Sequence, residues 1–169
     1  MNKIEVKESE LPDIIDPVLC VYIDGRRLDQ LVAEATSEQV FLGYIPSWHD
    51  DLFSLEDGRL IWQRSASRGS RILLPLLLCP EERDLSFRPV VTEFSVEGEI
   101  VRWKKIGELT QYVGRDKVNW LADVTYTFRV QDFMAMLKVF YDKIEKGSDA
   151  KLKELVAEQM CKINPHANQ

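Results

Sequence analysis

The residues best suited to chemistry in this chain are a histidine and two carboxylates, in the run Trp48-His49-Asp50-Asp51. An imidazole beside carboxylates can serve general acid–base catalysis or metal binding. Consecutive residues rarely converge on one substrate, however, and a metal site needs three or more ligands. The other histidine, His166, lies in a polar tail. The pattern therefore predicts a solvated acidic loop rather than an active or metal site.

Neighbouring carboxylates also occur as groups, in residues 50–51, 56–57 and 81–84. Hydrolysis of glycosides needs two carboxylates on separate elements at a fixed separation, which spacing along the chain does not establish. Arg68-Gly69-Ser70 has neither the glycine spacing nor the lysine of a P-loop. We interpret these carboxylates as surface charge, and we predict no catalytic residues, no metal and no cofactor.

The three cysteines, Cys20, Cys79 and Cys161, are far apart and odd in number. No Cys-x-x-Cys pair or cysteine–histidine spacing indicates a metal site. Free and mostly buried thiols in a reducing cytosol are the simplest explanation. Cys79 ends an apolar run, so we expect it to be buried and without a redox role. The acidic N-terminus lacks the apolar core of a signal peptide, and the chain is predicted to be cytoplasmic.

A strand and a helix are predicted close to the N-terminus. Residues 18–23 are rich in β-formers and end at Asp24-Gly25, which indicates a strand followed by a turn. Apolar residues at i, i+3, i+4 and i+7 from Leu28 predict a helix that ends near Thr36.

The middle of the chain alternates between polar and apolar segments. Residues 48–58 are acidic and turn-rich, and a short strand at 60–62 and a polar loop at 65–70 are expected after them. Residues 72–79 form a continuous apolar run, which predicts a strand buried on both faces with a bulge or edge at Pro75. This run is far shorter than the roughly 20 residues that a membrane helix needs, so no membrane association is predicted.

Residues 87–109 carry the pattern of a β-hairpin with Glu97-Gly98 at its tip. Apolar side chains alternate with polar ones along both strands, and this alternation assigns each side chain to one face. The expected cross-strand pairs are Phe94 with Val101, Thr92 with Trp103, and Glu93 with Arg102.

The C-terminal third is predicted to contain a strand and two helices. A polar loop over residues 111–119 leads to an alternating strand at 120–128. Apolar residues at helical spacing over 130–144 indicate the strongest helix of the chain. Ser148 can cap a second helix, which ends at Asn164-Pro165.

These elements predict an α+β fold: a central, mostly antiparallel sheet with an N-terminal helix and two C-terminal helices packed on it. Residues 1–17 are polar and are expected to form an extended N-terminal arm. Residues 18–164 are expected to form a single α+β domain, and residues 165–169 a polar tail. The oligomeric state is not predicted.

Charge is distributed unevenly along the chain, whose formal net charge is −6. Residues 1–60 hold thirteen acidic and five basic side chains, whereas residues 61–169 hold fifteen acidic and seventeen basic ones. The acidic balance argues against a nucleic-acid partner. The negative N-terminal third would attract a basic partner, although solubility alone also explains it.

A small basic patch occurs on the predicted hairpin, where Arg102, Lys104 and Lys105 surround Trp103. Basic side chains with an aromatic ring can bind single-stranded nucleic acid. Trp103 shares a face with Phe94, however, so we expect it to lie in the core. No nucleic-acid partner is predicted.

Five segments in a fixed order resemble a family of small bacterial cytoplasmic proteins. The segments are VYIDGRRLDQLV, FLGYIPSW, ILLPLLLCPEERDLSF, VVTEFSVEGEIVRWKKIG and NWLADVTYTFRVQDFMAML. The resemblance covers roughly residues 18–140. Residues 81–84 (EERD) replace a run of aspartates in the family pattern, and residues 129–131 (RVQ) lack its usual helix cap. Proteins of this family look like the immunity proteins encoded beside polymorphic or contact-dependent toxins, and none of their residues is assigned a catalytic role.

Two functions of different class are therefore expected. By resemblance, the chain is a non-catalytic binding protein, an immunity protein that neutralises a cognate toxin domain by direct binding. Alternatively, it is a small enzyme or ligand-binding domain whose site forms only in three dimensions. A deep pocket lined by convergent polar groups would favour the second function, and a flat or convex acidic face the first.

For an immunity protein, the acidic segment 48–58 is the predicted partner-binding surface, because loops often carry binding and the segment joins aromatic rings to acids. The predicted partner-binding residues are Trp48, Asp50, Asp51, Phe53, Glu56 and Asp57. The alternative is an ordinary acidic loop that covers part of the core with Trp48 turned inward.

Overall fold

The computed structural model describes residues 1–52, 54–111, 117–147 and 149–163. They form an α+β fold with four α-helices and two sheets, and all the strand pairs found in these residues are antiparallel. The predicted class is confirmed. The structure contains more elements than predicted: a second, small sheet and a fourth helix accompany the main sheet.

The first sheet contains β1 (Ile4–Ser9), β2 (Val18–Ile23) and β3 (Arg26–Arg27), in that order. Strand β2 is the one that the β-rich run predicted. Strand β1 lies in the expected N-terminal arm and pairs with β2 along its whole length. The backbone of Asn2 also donates to Thr127 O at 2.8 Å. The N-terminal residues are therefore tied to both sheets. Their polar sequence did not indicate a strand, and only Ile4 of β1 is fully buried.

Helix α1 (Leu28–Thr36) follows β3 directly and confirms the predicted helix. Ser37 stops it in the left-handed region at φ 57°, with its N–H bonded back to the last turn. A short 3-10 helix (Gln39–Phe41) then leads towards the second sheet.

The second sheet has five strands that follow one another in sequence order. They are β4 (Ile45–Pro46), β5 (Gly69–Leu78), β6 (Val90–Glu97), β7 (Ile100–Gln111) and β8 (Lys117–Arg129). Residues 74–78 are buried on both faces of β5, as the apolar run predicted. The pairing with β6 shifts between Pro75 and Leu77, which confirms the expected bulge. Of the loop predicted at 111–119, both ends belong to strands, and residues 112–116 lie outside the described part.

The hairpin of β6 and β7 has the predicted faces near its tip, but the register there differs by two residues. Beyond a bulge between Thr92 and Glu93, Thr92 lies opposite Ile106 rather than the predicted Trp103. Phe94 lies opposite Trp103, rather than opposite Val101. A shift of two residues keeps every side chain on its face, so the alternation alone does not distinguish the two registers. The turn decides between them: Gly98 takes φ +58° at the first position of a two-residue loop, where glycine is favoured.

Helix α2 (Leu55–Ser65) was missed, and the strand predicted at 60–62 is wrong. Ser54 caps this helix, because its Oγ accepts the N–H of Asp57 at 3.2 Å. The central Gly58 hid the helical pattern, since glycine disfavours helices. A methyl group at that position would lie 3.5 Å from Leu152 of the last helix, which shows how closely the two helices approach.

Helices α3 (Val130–Lys146) and α4 (Ala150–Ile163) confirm the two predicted C-terminal helices. The expected cap Ser148, the stop at 164–165 and the tail lie outside the described residues. None of the described helices is both long and apolar enough to cross a membrane.

Aromatic rings form the centre of the core. Trp103 of β7 contacts Phe128 of β8 and Phe133 of α3, with ring centroids 4.8 and 6.2 Å apart. Trp48 stacks on the same indole at 6.4 Å and lies 5.8 Å from Phe140. Trp103 thus joins the sheet, α3 and the segment after β4, which confirms its assignment to the core rather than to a nucleic-acid surface.

Replacing Trp103 by alanine should lower the free energy of unfolding by about 3–5 kcal/mol, the usual loss for truncating a large buried aromatic ring. Urea denaturation measures the loss. Trp120→Ala is the matched control: that ring is 37% exposed, and we expect the control to lose less than half as much. A loss below about 1 kcal/mol for Trp103→Ala would contradict its central role.

Candidate functional site

The segment that carries the histidine and its carboxylates is held at the edge of the second sheet. Ser47 donates its N–H to Leu76 O at 2.9 Å and its Oγ–H to Pro75 O at 2.6 Å. These bonds use carbonyls beside the bulge of β5, so the bulge provides the attachment. The residues that follow Ser47 therefore continue from a point of the backbone that is hydrogen-bonded to β5.

Trp48 is fully buried, so it does not present its ring to a partner in this fold. Its Nε1–H donates to Ser65 Oγ of α2 at 2.8 Å, and that hydroxyl in turn donates to Ile61 O. The structure therefore agrees with the alternative in which Trp48 points inward. Its part in the site is to anchor the backbone from which the next three residues emerge.

His49 is the histidine that the structure describes, and its side chain is only 13% exposed. Its Nδ1 accepts the N–H of Asp51 at 3.0 Å and lies 3.5 Å from Asp50 Oδ1. An accepting Nδ1 requires the neutral ring with its proton on Nε2. Burial lowers the pKa of His49, and the nearby Arg83 and Lys143 lower it further, whereas the two aspartates oppose the shift. The imidazole is therefore neutral at pH 7.

The two predicted aspartates reach the surface beside His49. Asp51 forms an ion pair with Arg83, whose Nε–H also donates to Pro80 O at 2.9 Å. Asp50 is partly exposed, with 28% of its side chain accessible. Two of the predicted partner-binding residues therefore lie where a partner can reach them.

The other predicted residues are placed elsewhere. Asp57 is buried in the first turn of α2, where its carboxylate accepts the N–H of Leu85 at 2.9 Å. Glu56 is exposed, pairs with Arg59 at 3.5 Å, and lines a separate depression of about 450 Å³ along α2. Phe53 lies outside the described residues. Helix α2 begins in the middle of segment 48–58. The predicted residues of this segment are therefore split between the core, the surface beside His49 and the helix.

A cleft of about 840 Å³ lies beside His49. Five parts of the chain form it: the loop between β1 and β2, residues 42–45, residues 49–52, residues 80–83, and the junction of α3 and α4. We call it the acidic cleft, and its charged lining consists of Asp13, Asp16, Asp50, Asp51, Glu81, Asp149, Arg83 and Lys143. A small recess next to it reaches Trp48 and Phe140.

The acidic cleft holds six carboxylates and two cations, and a neutral His49 adds no charge. Four of the carboxylates, Asp13, Asp16, Glu81 and Asp149, were not predicted as site residues. The sequence gave little sign of this site beyond the excess of acidic residues near the N-terminus. These four residues come from three separate segments, which only the fold brings together. A concave polar site of this size is the geometry expected for a ligand-binding domain, while its charge is what a basic partner requires.

The described residues contain no group of three histidine, cysteine, aspartate or glutamate side chains placed to hold a metal ion.

On the outer face of the sheet, Lys105 Nζ lies 5.7 Å from the ring of Trp120. The ring beside the basic hairpin residues is therefore Trp120, and not Trp103. Lys105 also lies 3.9 Å from Glu93, and Arg102 is paired with Glu97.

The cysteines differ in exposure. Cys20 is buried, Cys161 is exposed, and Cys79 is intermediate, so the expectation of a buried Cys79 is corrected. Cys79 follows the last buried residue of β5, where the strand has already left the core. None of the three forms a disulfide, and burial raises the pKa of Cys20 to about 11.

Comparisons with known protein families, with curated proteins and with solved structures find no match to this chain. The resemblance to immunity proteins therefore stays a prediction.

Stability should decrease on acidification because of His49. Its folded-state pKa lies below the ordinary 6.5, so the unfolded chain binds the proton more tightly. The contribution is complete above about pH 6.5 and is lost as the pH falls from there through the folded-state pKa. Unfolding of the wild type and of His49→Gln between pH 8 and pH 5 measures it. We expect the wild type to lose stability over this range and the variant to lose less; parallel curves would contradict the shift.

Alkylation of the folded protein at neutral pH should follow the exposure of the thiols. Cys161 should react first, Cys79 more slowly, and Cys20 only after unfolding, because the thiolate is the reactive form and burial suppresses it. Mass spectrometry of timed samples gives the order. Labelling of Cys20 at the rate of Cys161 would show that β2 is accessible.

Proposed function

We propose that this chain is a non-catalytic binding protein of the immunity type, which neutralises a cognate bacterial toxin in the cytoplasm by direct binding. The toxin contributes a basic surface, and the acidic cleft receives it. The observation that supports this proposal is the composition of the cleft, where six carboxylates from separate segments face two cations. Asp50 and Asp51, which the sequence singled out, belong to this set.

A concave surface with an excess of one charge sign accelerates the approach of an oppositely charged protein. Field lines concentrate in a cleft with low-dielectric walls, and the core beneath the acidic cleft is apolar. Asp13, Asp16 and Asp149 are exposed, so they act on an approaching partner over roughly a Debye length, about 8 Å at physiological ionic strength. Charge of this kind chiefly changes the association rate and its salt dependence.

A second function, a small enzyme or ligand-binding domain, is supported by the concavity of the same cleft and by His49 beside Asp50. The Nε2 of a neutral imidazole is a hydrogen-bond donor, which suits an acceptor on a bound molecule. Under this function a small molecule would raise the melting temperature of the protein, and His49→Gln would abolish that shift. Under the immunity function His49→Gln would leave the association rate with the toxin nearly unchanged.

The proposed function predicts that a neighbouring reading frame encodes the cognate toxin, and the test produces that toxin domain together with this chain in a bacterial host. We expect the chain to restore growth and to form a stable complex with the purified toxin domain. The variant D13N/D16N/D50N should lower the association rate about tenfold at low salt and flatten its salt dependence. Asparagine tolerates the left-handed backbone of Asp13, so the fold should be retained.

The matched control is E8Q/E99Q/E154Q, which removes three exposed carboxylates away from the acidic cleft. It carries the same change in net charge, so its association rate should stay within about twofold of the wild type. Equal losses in both variants would show that overall charge, and not the cleft, steers the partner. Absence of any complex would refute the immunity function.

A further inference from the structure

One wall of the acidic cleft carries an isoleucine whose side chain is 99% exposed, Ile15. No other large apolar side chain among the described residues is as exposed. Leu42, also on the cleft lining, is 43% exposed. The cleft therefore offers water-exposed apolar surface as well as charge, and burying such surface is the main source of binding energy between proteins.

Both apolar side chains project from backbone that is already held in place. The loop of Ile15 lies between the buried Leu11 and Val18, which fix its two ends in the core. The N–H of Gly43, next to Leu42, donates to the buried carboxylate of Asp29 at 2.8 Å. A partner would thus meet a surface that needs little ordering, which lowers the entropic cost of binding.

Charges flank the apolar surface along the chain. Asp13 and Asp16 enclose Ile14 and Ile15, and all four residues line the cleft. Asp50 contributes a further carboxylate from the segment beside His49. The chemical complement of a carboxylate–aliphatic–carboxylate surface is a segment in which aliphatic side chains lie between cationic ones.

We infer that the acidic cleft binds a protein segment in which one or two aliphatic residues are flanked by lysine or arginine. This inference rests on the proposed function and names the part of the partner that enters the cleft. Nucleic acid is disfavoured, because its phosphates would face six carboxylates. A purely cationic chain would satisfy the carboxylates and leave Ile15 and Leu42 in water.

Three synthetic hexapeptides separate the contributions of charge and apolar contact: Gly-Lys-Leu-Leu-Lys-Gly, Gly-Lys-Ser-Ser-Lys-Gly and Gly-Glu-Leu-Leu-Glu-Gly. Their affinities are measured by NMR titration, with the methyl signals of Ile15 and Leu42 as local reporters. We expect the leucine–lysine peptide to bind about tenfold more tightly than the serine–lysine peptide, with the isoleucine methyl signals shifted. The glutamate peptide should not bind.

The variant I15S/L42S should reduce the tenfold preference to about twofold or less and leave the affinity for the serine–lysine peptide unchanged. Both side chains are solvent-accessible, so the fold should be retained, which circular dichroism checks. The matched control is Val139→Ser on α3, outside the cleft, where valine is 40% exposed. This control should keep the full preference.

Each outcome has a separate meaning. Equal binding of the two lysine peptides would overturn the apolar contact and leave the acidic, basic-partner function intact. Failure of both lysine peptides to bind would overturn this inference and the role of the cleft in the proposed function together. A dimer in light scattering that I15S/L42S dissociates would assign the surface to a second copy of this chain, against the inferred foreign segment.

Discussion

The stacking of Trp48 on Trp103 is the contact on which the rest of the arrangement depends. Trp103 belongs to β7, which pairs with a strand on each side, and its ring also lies against Phe133 of α3. Trp48 belongs to the segment that follows β4. The contact therefore fixes that segment against the sheet, and His49 emerges into the cleft at the next position. The indole N–H of Trp103 has no acceptor within the described structure, so its stabilisation comes from packing alone.

The six carboxylates of the cleft would repel one another strongly if they were buried together. Two features reduce this repulsion. Asp51 is paired with Arg83, and Lys143 lies across the same cleft. Asp13, Asp16 and Asp149 are exposed, so water and salt screen them. A negative potential remains in the cleft, and its cost in stability is small because the exposed carboxylates are screened by solvent.

Acidic residues that are close together in the sequence have different environments and roles in this structure. Asp50 lies at the cleft, whereas Asp57 is buried at the start of α2. There its carboxylate joins the loop of Leu85 to the helix, at the end where the helix dipole favours negative charge. Glu56, one residue earlier, points to solvent. The difference arises because α2 begins at Leu55 and rotates successive side chains by about 100°, so neighbours face opposite surroundings.

Most of the local structure could be predicted from the sequence: β2, the buried run of β5, helices α1, α3 and α4, and the faces of the β6–β7 hairpin. Periodicity in one segment is enough for these, because it depends only on neighbouring residues. The sequence did not predict the hairpin register, and it did not predict the inward position of Trp48 or the acidic cleft, which depend on contacts between distant segments. Alternation of apolar and polar residues defines the face of a strand but not its register. An aromatic residue within an acidic segment can be either buried or exposed. The cleft brings Asp13, Asp50 and Asp149 together from segments far apart along the chain, and only the packing of the two sheets and the helices makes them neighbours.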